Sequence, residues 1–391
     1  MDYSTKSCKE LIAICKEIGI KGYSGKPKNY LTSLILSTKK EAVKKTDSIK
    51  YIDLFCGLGA FHTAFNTSSK FVCVMACDND EGVRDIYEAN YNLKPRGDIR
   101  EINAELLPDF DILCAGFPCQ TFSIAGKGMG FDDKIKGNLF YDILRIIDAK
   151  TPKMCILENV KNLKTHDAGN TYKTIETELV NRGYLLTSKI INSADYGSPQ
   201  ARQRIFIVAT RGGPFIIPMP IKTTNAVSTI VDSLWSQDKL NMKRYVLKAK
   251  PAKTIFDPSK PVVIYDVYPI LSAEKQLKLD ADKLEIEKNG GDPTSLDKGG
   301  RQGERVYSAD AVGITVCASS GGPGAKTGLY KIGDTIRRLN VNETLGMFGF
   351  PRDYKFINTT YENSLFYLGN SIVVNVPLSF VPAIELWFSS N

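Results

Sequence analysis

Asp53-Leu54-Phe55-Cys56-Gly57-Leu58-Gly59 reads as an apolar strand running into a glycine turn, and AFHTAFN (60–66) continues it as a short helix. In a doubly wound sheet the first strand-to-helix turn is where a nucleotide-like ligand meets the helix N-terminus, and glycines there let the backbone approach it. FVCVMACD (71–78) is a second buried strand ending in Asp78, 21 residues beyond Gly57, where a carboxylate can accept from both hydroxyls of a ribose. Asp98, in Gly97-Asp98-Ile99, stands at the end of the following unit and can meet an adenine amino group. The dinucleotide fingerprint G-x-G-x-x-G is broken because His62 occupies its third glycine position. A nucleoside without a pyrophosphate, such as S-adenosylmethionine, fits better than a nicotinamide cofactor.

Outward from this unit the same rhythm repeats. DEGVRDIYEANY (80–91) and LFYDILRIIDAK (139–150) have helical patterns. DFDILCAGF (109–117), KMCILENV (153–160) and RIFIVAT (204–210) are apolar runs of strand length. Alternating strands and helices indicate an α/β fold with a mostly parallel, doubly wound sheet. Beyond residue 212 the rhythm stops. Residues 213–300 are rich in Pro and Lys, 299–330 are rich in Gly, and helical patterns return at 342–350 and 371–387. A smaller, irregular, β-rich domain is expected there.

At 391 residues the chain is long enough for two domains, and 43% hydrophobic with 24% charged residues excludes a disordered or collagen-like chain. No run of about 18 apolar residues marks a membrane span, and MDYSTKSCKELIAICKE lacks a signal-peptide layout. An intracellular, cytoplasmic location is the expectation. The net charge of +8 is uneven: residues 1–50 carry +6 and the other 341 carry +2. That asymmetry suits a basic module meeting a polyanion. Two short helical patterns, at 8–18 and 29–36, flank the basic turn GIKGYSGKPKNYL (19–31). The nine Cys match no disulfide framework and the two His supply no zinc site or Ser–His–Asp triad, so no metal is expected.

Three further segments carry reactive groups at strand ends. Gly116-Phe117-Pro118-Cys119-Gln120 puts a thiol in the ligand crevice, and a thiolate is a strong nucleophile. Leu157-Glu158-Asn159-Val160 puts a carboxylic acid at the end of an apolar strand, where it is costly to bury without a partner. In Gln200-Ala201-Arg202-Gln203-Arg204 the two Arg alternate onto one face, ready for a carbonyl, a carboxylate or phosphates. Asn370 and Ser371 read as an ordinary cap of the apolar helix after them.

Together these segments resemble the C5-cytosine DNA methyltransferases, in particular the short bacterial modification type. The matching stretches are DLFCGLGAF (53–61), GDI (97–99), GFPCQTFS (116–123), ENV (158–160), QARQR (200–204), RQGERVYS (301–308), GGPGAKTGLY (321–330), RRLNVNET (337–344) with GFP (349–351), and GNSIVVNV (369–376), all in the family's order. The resemblance implies a class I S-adenosylmethionine-dependent methyltransferase acting on a cytosine flipped out of duplex DNA. Cys119 would attack carbon 6 of the base. Glu158 would bind its N3 edge and amino group, and Arg204 with Arg202 would grip its carbonyl and hold Glu158.

The resemblance also implies cofactor contacts at Phe55, Gly57, Gly59, Asp78, Asn79, Asp98, Ile99, Leu139, Asn370 and Ser371. Position 79 departs from relatives that place an aromatic there against adenine, and weaker cofactor binding is expected. Ala125 and Gly346 are further departures, neither removing a catalytic group. Gln302 would fill the gap left by the flipped base, Lys326 and Thr327 would contact the DNA backbone, and Lys127 belongs to a loop, Thr121–Phe131, that would close over the target. The implied division is a catalytic domain at 51–212, a target-recognition domain at 213–354 and a return to the catalytic domain at 355–391. Residues 9–35 resemble the SAP module, which implies a DNA-binding unit at 1–36, with Lys21, Tyr23, Lys26 and Lys28 on phosphates, and a linker at 37–50. Implied partners are double-stranded DNA and a cognate restriction endonuclease, with the protein a monomer. Two alternatives stay open: a tRNA cytosine-5 methyltransferase, and a non-catalytic DNA-binding homologue.

Overall fold

The computed structural model describes residues 6–17, 20, 23–35, 48–118, 139–221, 223–232, 245–249, 256–269, 273–291 and 302–391, with the side chains of 245–249, 266–269 and 275–276 excepted. Cys119, Lys127 and Lys21 lie outside the described residues.

Helices α1 (Cys8–Glu17) and α2 (28–35) flank the basic turn. They close on a small apolar cluster of Leu11, Cys15, Leu31 and Ile35, against which Tyr23 packs. Lys26 and Lys28 stay exposed, the Lys26 ammonium 5.3 Å from the Tyr30 ring centre.

The main sheet has the order β2-β1-β3-β4-β6-β5. Its strands are β1 (Ile49–Leu54), β2 (Phe71–Cys77), β3 (Ile112–Gly116), β4 (Met154–Val160), β5 (Leu185–Asn192) and β6 (Gln203–Thr210). β1, β2, β3 and β4 pair in parallel, and β1, β3 and β4 are near-continuous buried runs, as a strand covered on both faces requires. The connecting helices are α3 (Ala60–Phe65), α4 (Glu81–Tyr91), α5 (Leu139–Lys150) and α6 (Asn170–Asn181). Asp80 starts α4 by accepting from the Val83 amide at 3.0 Å, and Asn92 ends it in the left-handed conformation.

The last strands depart from the simple rhythm. β6 runs antiparallel to both β4 and β5. β5 has no clear signal in the sequence because it is an edge strand whose residues are mostly part-exposed. The reversal of β6 has a functional consequence: it brings the N-terminal end of that strand, not its far end, beside the carboxyl end of β4.

A second sheet, β11-β10-β9-β8-β7, is formed by β7 (Tyr245–Ala249), β8 (Val263–Pro269), β9 (Arg305–Ser308), β10 (Leu329–Ile332) and β11 (Thr335–Arg337). Between β8 and β9 lies α7 (Ala273–Lys288), a helix in a region expected to hold only strands and loops. Its Leu277 and Leu284 remain exposed, so no apolar stripe announced it. Three helices follow: α8 (Val341–Phe348), α9 (Tyr361–Asn370) and α10 (Asn375–Ser390). α8 opens with a capping box in which Asn340 and Glu343 exchange side-chain and backbone hydrogen bonds. One apolar core runs from Tyr51, Phe61 and Phe206 through Tyr307 and Tyr330 to Phe348 and Phe380, so both sheets and the C-terminal helices share it.

One local expectation is corrected here. Asn370 and Ser371 do not cap the last helix; they end α9, and α10 starts only at Asn375. Ser371 is extended, so the pair forms a bend between two helices rather than an N-terminus.

Candidate active site

A cavity of about 670 Å³ opens at the carboxyl ends of β1, β2, β3 and β4, the crevice a doubly wound sheet offers to ligands. Phe55, Gly57 and Leu58 line it from the turn after β1, and Asp78, Asn79, Asp80 and Val83 from the region after β2. Asp98, Ile99 and Arg100, Gly116 to Pro118, Leu139, Glu158 to Val160, Arg202, Arg204 and, at the α9 end, Phe366, Tyr367 and Gly369 to Ser371 complete it. Nine of the ten expected cofactor residues therefore face one space.

Gly59 is the exception. It does not line the cavity; it precedes α3 at φ 77°, and a Cβ there would collide with the Tyr91 ring. Its contribution is to the shape of the turn. Phe55 also sits at positive φ, 55°, a conformation costly for an aromatic residue and held by the surrounding packing.

At the β1–β2 end the carboxylates are fixed. Asp78 accepts from the Gly57 amide (2.9 Å) and the Asp80 amide (3.0 Å). Burial still raises its pKa, against those two hydrogen bonds. Asp98 caps a short 3₁₀ turn through the Arg100 amide and pairs with the Arg100 guanidinium, which holds its carboxyl below the usual range. Below the turn, Asp53 is buried and burial, with Asp78 adding to it, lifts its pKa well above the carboxylate range. His62, in the broken glycine position, is buried against Tyr91 and accepts or donates at Nδ1 to the Tyr87 hydroxyl (2.7 Å). Burial lowers its pKa to about 4, so it is a neutral core residue at physiological pH.

At the β4–β6 end Glu158 is 7% exposed. Val160 and Arg204 are partners in the antiparallel ladder, and Arg204 Nε lies 3.2 Å from Glu158 Oε1. Burial raises the Glu158 pKa, while Arg204 and then Arg202 pull it down. Arg202 is engaged differently. Its Nη1 donates to the Val316 carbonyl (2.8 Å), and its Nη2 to the carbonyls of Gly369 (2.8 Å) and Ser371 (3.0 Å). Burial lowers its pKa to about 9. Gln200 acts in parallel, accepting from the Val316 amide (2.9 Å) and donating to the Met347 carbonyl (3.2 Å). The motif thus divides: Gln200 and Arg202 fasten neighbouring segments, and Arg204 carries the carboxylate contact.

Asn159 was not singled out in the sequence, although it lies inside the ENV motif. Its Nδ2 donates to the Phe117 carbonyl at 2.9 Å and its Oδ1 accepts from the Val160 amide at 2.8 Å. It ties the end of β4 to the segment that leads into Cys119. Buried amides at strand ends give no periodic signal, which is why only its glutamate neighbour drew notice.

The expected DNA contacts are distributed unevenly. Gln302 is exposed and donates to the Thr315 carbonyl at 2.7 Å; Thr315 borders a second hollow of about 330 Å³ with Lys161, Asn162, Asn192, Gln203 and Arg204. Thr327 is fully buried, its hydroxyl donating to the Gly328 carbonyl and accepting from the Leu339 amide. Lys326 is engaged within the protein as well. Its ammonium pairs with Glu362 on α9, at 3.2 Å from Oε2.

A family model described as C-5 cytosine-specific DNA methylase matches residues 49–384. The chain is 35% identical to the Type II methyltransferase M.HhaI of Haemophilus parahaemolyticus, over 85% of this chain and 93% of that protein. It is 35% identical to the Type II methyltransferase M.NgoBI of Neisseria gonorrhoeae, over 84% and 90% respectively. Among solved structures, the S. pombe Dnmt2 methyltransferase superposes with a TM-score of 0.59 at 16% identity, covering 88% of this chain and all of that one. That last likeness bears on the fold alone.

Proposed function

The chain belongs to the C-5 cytosine-specific DNA methylase family, and on that premise we propose a mechanism and a division of labour for its DNA cytosine-5 methyltransferase activity. The carrying observation is that the Asp78 end and the Glu158–Arg204 pair open onto one cavity. A methyl donor and a target base can meet there without water between them.

The donor set at the Asp78 end fits S-adenosylmethionine. Asp78, Asp80 and Asp98 line it; of the nearby cations among the described residues, Arg100 is paired with Asp98 and Arg84 donates to the Asp78 and Asn79 carbonyls. Such an acidic lining repels a pyrophosphate and favours a ribose diol and a sulfonium. Asp78 would hold the diol, Asp98 the adenine amino group, and Ile99, Leu139 and Phe55 the apolar faces. When bound, S-adenosylmethionine supplies an electrophilic methyl group.

At the other end the target cytosine must leave its stack to be reached. Pro118 lines the cavity, and Cys119 follows it directly in the chain. The Cys119 thiolate adds to carbon 6, and the ring becomes nucleophilic at carbon 5. Glu158, whose raised pKa suits it to share a proton, meets N3 and the exocyclic amino group. Arg204 orients Glu158 and faces the ring carbonyl. After methyl transfer a base removes the carbon-5 proton, and the electrons left behind re-form the ring double bond and expel the Cys119 sulfur as the thiolate. Arg202 is a positioning residue in this scheme, because both of its Nη groups are held by main-chain carbonyls.

We read 213–354 as the part that recognises a specific duplex sequence, with Gln302 at the vacated base position, and 1–36 as a basic tether contacting phosphates through Lys26 and Lys28. The similarity to Type II modification enzymes supports a role in restriction-modification. The test is covalent trapping. Random-sequence duplex DNA containing 5-fluorocytosine, incubated with the protein and S-adenosylmethionine, is expected to yield a denaturation-resistant adduct that Cys119→Ser abolishes. An adduct with tRNA and none with DNA, or an adduct that survives Cys119→Ser, would refute the reading.

A further inference from the structure

An aromatic pair at the mouth of the cavity has no part in the scheme above. α9 ends in Phe366-Tyr367-Leu368-Gly369-Asn370, and both Phe366 and Tyr367 line the cavity. Phe366 is 40% exposed, a large apolar face left in water on the wall of a ligand pocket. Tyr367 is fixed beside it, with ring centres 5.9 Å apart in an edge-to-face arrangement.

Tyr367 also locates the pair within the cavity. Its hydroxyl donates to Asp80 Oδ1 (3.4 Å), the same oxygen that starts α4 through the Val83 amide. It lies 2.8 Å from where a Cβ on Gly82 would stand, so a glycine at 82 is what admits the ring. Tyr367 therefore sits at the Asp78–Asn79–Asp80 end, where the nucleoside would lie, and Phe366 stands beside it on the cavity wall. At that end Asn79 presents an amide and no ring. A purine is a flat, weakly solvated ring, and its best partner is an aromatic face.

We propose that Phe366, steadied by Tyr367, supplies a second aromatic contact to the adenine ring of the methyl donor, beside Phe55, where Asn79 supplies none. This rests on the cofactor reading above. It makes α9 a shared element: its aromatic pair holds the nucleoside, and the carbonyls of Gly369 and Ser371 at its end are held by Arg202.

The test is equilibrium binding of S-adenosylhomocysteine to the full chain by calorimetry, with no turnover required. Phe366→Ala and Phe366→Leu are each expected to weaken binding about fivefold or more, the Leu variant because it keeps the apolar bulk but loses the ring. Adding Asn79→Trp to Phe366→Ala should restore most of the loss. S-ribosylhomocysteine, which lacks the adenine, should bind the unaltered protein and Phe366→Ala equally. Binding of S-adenosylhomocysteine within twofold of the unaltered protein in both Phe366 variants would overturn the inference while leaving the cofactor reading intact. An equal loss for both ligands would overturn it too, by marking Phe366 as a general structural support. Failure of the unaltered protein to bind S-adenosylhomocysteine would overturn the cofactor reading itself, and this inference with it.

Discussion

Arg204 Nε and Glu158 Oε1 stand 3.2 Å apart, on adjacent strands that run in opposite directions. The pair exists because β6 is reversed. Had it been parallel to β4, Arg204 at its N-terminal end would lie at the far edge of the sheet from Glu158.

The titration of Glu158 has a definite sign. Its folded pKa lies above the ordinary 4.5, raised by burial against the pull of Arg204 and Arg202. The native state therefore binds the extra proton between those two values. The contribution of this group to stability is complete below the ordinary value and is lost as pH rises through the folded one. Urea unfolding of the unaltered protein and of Glu158→Gln, at several pH values across that window, should give a stability difference that declines with rising pH. A difference that grows with pH would contradict this account.

Arg202 satisfies three main-chain carbonyls from two distant segments. A lysine cannot span them, since it has a point charge where the fork of a guanidinium is needed. Each carbonyl left unpaired inside costs about 1–3 kcal/mol. Arg202→Lys is expected to destabilise the protein by roughly 3 kcal/mol or more. Chemical denaturation measures it, and a loss below about 1 kcal/mol would show that the carbonyls find other partners.

Arg337 and Glu343 form a buried two-pronged pair, both contacts at 2.7 Å, with 3% and 1% side-chain exposure. Glu343 also accepts from the amides of Asp232 and Asn340 (2.8 Å each). Removing one partner strands the other charge, so Glu343→Ala should cost about 3–5 kcal/mol. The double variant Arg337→Met/Glu343→Leu should recover part of that loss, but not all of it, because the two amides stay unsatisfied. A double variant that melts no higher than Glu343→Ala would argue against a coupled pair.

Asp167 and Ala168 are consecutive non-glycine residues at positive φ, 51° and 52°, with Gly169 following at 89°. An L-residue pays about 1–2 kcal/mol for that conformation. Ala168→Gly should therefore stabilise the protein by up to roughly 1 kcal/mol, the opposite of the usual effect of glycine. A lower melting temperature in this variant would disprove the strain.

Much of the first sheet was legible because its strands are buried on both faces and read as unbroken apolar runs: the expected LFYDILRIIDAK helix is α5 residue for residue. The edge strand β5 and the charged helix α7 were not, since neither has a clean apolar period. At the site, Glu158 was legible as an acid too costly to bury idly. Asn159 and Gln200 were not, because a neutral amide bonded to backbone leaves no mark on composition or spacing. For Lys326 and Thr327, which the family resemblance implies as DNA-backbone contacts, the local sequence carries no sign of the carboxylate on α9 and the buried turn that engage them.

Strand identity, the glycine turn and the reactive side-chain types follow from local chemistry, because periodicity and chain stiffness act over a few residues. The reversal of β6, the division of labour between Arg202 and Arg204, and the placement of Tyr367 beside Asp80 do not. They depend on partners tens to hundreds of residues away, as between Asp80 and Tyr367 or Arg202 and Ser371. Such contacts are chosen by the packing of the whole core, which no short window of sequence contains.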